Sequence, residues 1–173
     1  NKLSKAYVNN GGDIAIYLDH HEVFNIGIIT NLKTRAIAGT VSISKKDAIN
    51  GIATSGWHGR SHSFGIADAV TVLAPNAAQA DTAATLIANA VDLPGSTLIK
   101  KMPAKELFPD TDLGDKLVTT DVALLPKKLA VKAVETGCKR ANEYIHRGLI
   151  NAATISLQGV VKVVGPNRVL TQD

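Results

Sequence analysis

The sequence predicts an α+β fold: an antiparallel sheet with two main helices packed on one side of it. Three observations carry this. Strand-like segments in the first third are joined by turns too short for a crossover helix. One later segment, ADAVTVLA (67–74), is an almost continuous apolar run, the mark of a strand buried on both faces. Two longer segments, about 77–92 and about 126–147, carry helical signals at their ends and apolar residues at helical spacing.

Taken in order, AYVNNGGDIAIYL (6–18) reads as strand, glycine turn, strand, with Gly11 and Gly12 supplying positive φ. DHHE (19–22) reads as a polar turn. Its adjacent histidines point to opposite faces of an extended chain, so they make a poor shared metal site. VFNIGIIT (23–30) and GTVSIS (39–44) alternate as strands. Residues 51–74 read as a short strand, a glycine-studded loop and the apolar strand, which Pro75 ends. Asn76 is an N-cap with Gln79 three residues on. Residues 93–116 hold three of the six prolines and read as irregular, with a turn of helix at Ala104–Leu107. KLVTTDVAL (116–124) is another strand. Pro126 suits the first turn of the second helix, and Gly148 ends it. Ala130, Val134, Cys138, Ala141 and Ile145 form its inward stripe. Residues 151–165 read as a closing hairpin that turns at Gln158-Gly159.

Composition narrows the function classes. Hydrophobic residues make up 45% of the 173 and charged residues 20%, a globular balance. Aromatics are only 4%, and the net charge of +4 is scattered rather than gathered into a stripe, which argues against a nucleic-acid surface. No apolar run is long enough to span a bilayer. The single cysteine, Cys138, excludes a disulfide within the chain and fits a reducing, cytoplasmic setting. The chain opens on Asn1 rather than Met, so an upstream segment is expected to have preceded it.

Three segments could carry chemistry. In AQADTAAT (78–85), Asp81 and Thr85 stand one helical turn apart on one face. They offer oxygen ligands to a hard cation such as Mg²⁺; equally, Asp81 suits the positive end of a helix dipole facing water. In ATSGWHGRSHSFG (53–65), glycines and hydroxyls could cradle an anion, Arg60 could neutralise a phosphate, and His58 or His62 offers an acid, base or ligand. A solvated loop is the plainer alternative, and Trp57 could stack on a planar ring or plug the core edge. In NNGGD (9–13) the glycines make a tight turn or let backbone approach a ligand beside Asp13.

Together NNGGDI, IATSGW and VTVLAPNAAQADTAATLIA resemble, in the same order, the flavin transferases of the ApbE superfamily. GIATSGWHGRSHSFGIADAVTVLA and LINAATISLQG are more similar still to an uncharacterised ApbE-related family, and the resemblance covers nearly the whole chain. It implies an ApbE-like, tunnelling-fold-related domain over residues 1–173, corresponding to the C-terminal part of the full fold. A missing N-terminal segment or a second subunit would then cover the sheet. It implies Mg²⁺ at Asp81 and Thr85, and FAD or another phosphorylated ligand lined by Gly11, Gly12, Asp13, Thr54, Ser55 and Gly56, with His62 where the transferases' histidine stands; Arg60 joins this set as the loop's phosphate-neutralising cation. His62 and Asp81 would be the catalytic residues. The implied chemistry is FMN transfer from FAD onto a protein, or cleavage of the FAD pyrophosphate. The transferases' longer loop after ATSG, with its Asp-Pro and Thr-Gly, is absent here. That keeps a second reading open: a non-catalytic ligand-binding or assembly protein that retains the fold.

Overall fold

A computed structural model of the protein describes residues 3–31, 36–59 and 61–166. Six strands form the main sheet: β1 (Lys5–Asn10), β2 (Asp13–Leu18), β5 (Gly51–Ser55), β6 (Ala69–Ala74), β9 (Ala152–Leu157) and β10 (Val160–Val164), in that spatial order. Every pairing in it is antiparallel. β3 (Val23–Asn31) and β4 (Ala36–Ser44) form one separate hairpin, and β7 (Ile99–Pro103) and β8 (Leu117–Val122) form another. The helices are α1 (Ala77–Ala90), the short α2 (Ala104–Leu107) and α3 (Lys127–His146).

Strand alternation sorts the sheet into two faces. Ala53, Val70, Val72 and Ile155 join one apolar cluster with Ala80, Ala84 and Ile87 of α1 and Ala130, Val134 and Ala141 of α3. Ile52, Leu73 and Ala152 point the other way, into a cluster with Ile16, Leu18 and the β3–β4 residues Ile28, Val41 and Ile43. The helices therefore lie on one side of the sheet and the β3–β4 hairpin covers the other. Because β6 and β9 are covered on both faces, all their residues are buried, as the unbroken apolar run of β6 requires.

The helix α1 lies very close to the sheet. Its inward residues are mostly alanine, and glycine backbone meets it at both ends. A Cβ on Gly51 would stand 2.0 Å from the Asn76 carbonyl carbon; one on Gly65 would stand 2.1 Å from the Ala88 oxygen. Asn76 caps the helix by accepting the Gln79 N–H at 2.9 Å, and its Nδ2 donates to Gln79 Oε1 at 2.8 Å.

Three details differ from the sequence reading. Residues 99–103 form a strand rather than irregular chain, paired from Ile99↔Val122 to Pro103↔Leu117. The Lys-Lys pair and terminal proline hid it, since they break the apolar alternation of an edge ribbon. The β3–β4 hairpin crosses over the sheet instead of extending it, and β2 pairs with β5. On α3 the buried stripe is Ala130, Ala133, Val134, Gly137, Ala141 and Tyr144, while Cys138 and Ile145 are half-buried at its margin.

The hairpin β1–β2 is the barest part of the sheet: Val8 is 70% exposed and Tyr7 64%. Among the described residues, no helix is long and apolar enough to cross a membrane.

The tight seat of α1 yields a stability prediction. Gly65→Ala should lower unfolding free energy by about 3 kcal/mol, because the new methyl meets helix backbone that cannot yield. Urea denaturation would measure it, and an unchanged midpoint would show that α1 can lift away at no cost.

Candidate functional site

The turn between β1 and β2 places Asp13. Gly11 and Gly12 adopt φ of 69° and 118°, and the Gly12 N–H donates to Asn9 Oδ1 at 2.9 Å. Asp13 then opens β2 opposite Asn10, one residue before Ile14 pairs with Ile52. By alternation it lies on the helix side, level with Ala53.

Asp81 is not inside the helix packing. Asp81, Thr82, Thr85 and Leu86 are exposed, while Ala80, Ala83, Ala84 and Ile87 are buried. Asp81 nevertheless acts on Asp13. The Asp13 carboxyl is held above its ordinary range, first by partial burial and then by the Asp81 carboxylate. Asp81, 68 positions along the chain, thus adds to the effect of burial on Asp13. The folded chain holds the Asp13 proton more tightly than the unfolded chain does. Stability from this group is therefore lost as pH rises through the carboxylate range.

The ATSG segment divides between the two sheet faces. Ser55 shares the helix side with Ala53. Thr54 points to the hairpin side, where its Oγ1 lies 2.8 Å from Thr71 Oγ1; register extends this row to Thr154. Gly56 closes the loop: a Cβ there would stand 2.5 Å from the Asp68 carbonyl oxygen, and the adjacent Trp57 N–H donates to Ala67 O at 3.0 Å. Arg60 lies outside the described residues.

His62 is half-buried with its ring 5.0 Å from that of Phe108. The next residues are tied to Asn89, whose Oδ1 accepts the Phe64 N–H at 2.9 Å and the Ser63 hydroxyl at 3.1 Å. Asn89 is eight residues beyond Asp81, or about 12 Å along a helix axis. The structure thus gathers Asp13 and Asp81 toward the first half of α1 and tethers the His62 segment toward its end.

Two groupings went unnoticed in the sequence. One is a cleft of about 600 Å³ lined by Phe64, Asn89, Asp92, Leu93, Lys101 and Leu117. In it Lys101 Nζ donates to Asp92 Oδ2 at 2.7 Å and to Phe64 O at 2.6 Å. The other is Asp68, buried beside His58. Nothing in spacing could reveal either, because their members come from separate elements. Among the described residues, no group of three or more His, Cys, Asp or Glu could hold a metal ion. Cys138 on α3 has its thiol pushed up mainly by burial, which suits a packing residue more than a nucleophile.

Comparison with known proteins fits this set of elements. The family model described as AbpE bacteria matches residues 1–163. The chain belongs to this ApbE-related bacterial family. It is also similar to UPF0280 proteins of archaea. That of Methanosarcina barkeri is 40% identical over 89 residues, 51% of this chain and 34% of the relative. That of Methanoculleus marisnigri is 39% identical over 97 residues, 56% and 39% of the two chains. That of Methanococcus vannielii is 39% identical over 112 residues, 61% and 44% of the two. The chain spans about a third of the length of the first of these relatives.

The acid pair can be tested directly. Asp81→Asn should bring the Asp13 titration down toward the ordinary carboxylate range, followed by the side-chain carboxyl carbon shift in NMR. The gain in stability at neutral pH should stay below about 1 kcal/mol, since Asp81 is exposed and screened. An unmoved Asp13 titration would show that the two acids do not feel each other.

Proposed function

We propose that the protein binds FAD, or another ligand with a pyrophosphate, through Mg²⁺ held at Asp81 and Thr85 with Asp13 alongside, on an ApbE-like, tunnelling-fold-related architecture. The observation that carries this reading is the placement of Asp13, which the glycine turn sets on the helix side of the sheet level with Ala53, where burial first and the Asp81 carboxylate second raise its carboxyl. It joins the glycine turn to the helix motif, two of the three segments on which the family resemblance rests.

The donor set fits a hard cation. Two carboxylates that repel each other at a partly exposed site are relieved by a divalent ion, and a hydroxyl one helical turn away adds a third oxygen. Mg²⁺ commonly takes one or two carboxylates and completes its shell with water and phosphate, so a sparse protein set is compatible with it. When bound, the ion would supply neutralisation of pyrophosphate charge. The chain's own residues would do the rest. The Gly11-Gly12 backbone would let a ligand approach β2, Ser55 and Gly56 would line the same edge of α1, and Asp13 would fix the ligand's polar margin. Thr54 and His62 complete the set by resemblance, and Arg60 as the cation of the glycine loop.

FMN transfer to a protein and cleavage of the FAD pyrophosphate are the activities this reading suggests. A binding protein without turnover is favoured by one observation, the packing of the His62 ring on Phe108.

Isothermal titration of FAD into the protein, with and without Mg²⁺, tests the reading. Binding should need Mg²⁺, and Asp81→Ala should weaken it at least about tenfold, a loss of 1.4 kcal/mol or more. The Tm of the variant should hold, because Asp81 lies on the outer face. No heat with FAD in either condition would sink FAD as the ligand, and the same result with ADP would overturn the proposal. Mg²⁺-dependent binding without conversion of FAD to FMN and AMP would select the non-catalytic form.

A further inference from the structure

The deepest acid near the glycine loop belongs to neither half of the Asp13–Asp81 pair. Asp68, which precedes β6, is 5% exposed. A carboxylate at that depth needs partners. Its Oδ2 accepts the Gln158 N–H at 2.6 Å, and its Oδ1 lies 3.7 Å from His58 Nε2. The His58 side chain is 21% exposed, so the imidazole spans the distance between a buried acid and the surface. Trp57 stacks against it with ring centroids 3.8 Å apart at 35°. The Trp57 Nε1 donor is itself buried, with no acceptor among the described residues.

The backbone holds this arrangement in place. The Asp68 N–H donates to Ser156 O at 2.9 Å, which anchors it to the fully buried β9. Trp57 is fastened through its N–H to Ala67, and Gly56 admits no side chain against Asp68. The two ends of the loop are thereby closed on each other. A buried carboxylate that orients an imidazole and stabilises its cation is the physical requirement for a histidine that exchanges protons. Here the 3.7 Å separation is that of an ion pair formed when the imidazole is protonated, and both residues stand in chain just outside β5 and β6 that is fastened by backbone hydrogen bonds.

We propose that His58 is an acid–base residue, with Asp68 as its positioning residue, acting on the attacking hydroxyl at a pyrophosphate ligand held beside Gly56. The ligand rests on the function proposed above; the pairing of His58 with Asp68 does not. With water as the attacking group, its oxygen forms a bond to phosphorus and its proton passes to the imidazole. The bridging P–O bond breaks, and the bridging oxygen leaves with the electron pair on a phosphate monoester. His58 then returns the proton to solvent, while Asp68 stays ionised throughout. Asp68, just ahead of β6, is a carboxylate beside His58; Trp57, stacked on the imidazole, is uncharged, and Arg60, two positions along the chain, lies outside the described residues.

Trp57 makes the pair measurable without a ligand, because it is the single tryptophan of the chain. A stacked imidazolium quenches indole emission more than a neutral imidazole does. Emission followed across about pH 5 to 9 should therefore show one transition in the histidine range. His58→Gln should abolish it. Asp68→Asn should move it to lower pH, and the asparagine oxygen can still accept the Gln158 N–H to hold the fold. Flat emission in the wild type, or a transition that survives His58→Gln, would overturn the pairing. In a second arm, FAD turnover with Mg²⁺ should fall at least about a hundredfold in His58→Gln with KM little changed. In Asp68→Asn its pH profile should shift in the same direction as the emission. Turnover by His58→Gln at the wild-type rate would overturn the acid–base role. The expected emission transition in a wild type that does not cleave FAD would uphold the pair and sink FAD cleavage as its reaction.

Discussion

Everything at the helix side of this molecule depends on how closely α1 can approach the sheet. Aligned backbone at Gly51 and Gly65 leaves no room for even one methyl group, and the facing residues of α1 are alanines except Ile87. Such small side chains gain little apolar area individually, so the contact works through close packing rather than through large anchors. The seat has a second effect. It fixes the height and rotation of the helix, which sets Asp81 beside the start of β2 and Asn89 beside the loop that follows β5. Two functional neighbourhoods are therefore positioned by one piece of steric fit.

The scarcity of aromatics takes on a clear meaning in this light. A core built from alanine, valine, isoleucine and leucine suits a sheet that must be covered closely on both sides. Apart from Tyr144 in the buried stripe of α3, the rings in contact with one another lie at margins. Trp57 stacks on His58, Phe108 faces His62, and Tyr7 meets Phe24 edge-on at the outer hairpin.

Much of this was legible in the sequence, and the reasons are particular. Asn76, Pro75 and the alanine run fixed where α1 begins, since caps and breakers act locally. The Gly11-Gly12 and Gln158-Gly159 turns were readable because only a few residue types tolerate positive φ. The burial of β6 on both faces followed from its unbroken apolar run. What could not be read were relations between distant segments. The β3–β4 crossing depends on tertiary cover, not local pattern, and so does which face of β5 meets the helices. In the sequence Asp81 was either a cation ligand or a carboxylate at the helix end facing water; on the fold it is exposed, on the outer face of α1, and raises the Asp13 carboxyl. His58 and His62 looked interchangeable by spacing, and only the placement of Asp68 and Phe108 separates them.

The β1–β2 hairpin joins the rest of the sheet through a short ladder, registered at Ile14↔Ile52 and Ala15↔Gly51 and extended by the Ile16 N–H to Asn50 O at 2.8 Å. β1 is bare on nearly all its residues, whereas β6 and β9 are covered everywhere. Amide exchange should therefore slow steeply from the outer hairpin toward the centre of the sheet. Asp13 belongs to the soft end of that gradient and Asp81 to a helix clamped at the stiff end. Anything that bridges the two acids would couple an opening edge to a closed core and draw the fraying hairpin into the cooperative unit.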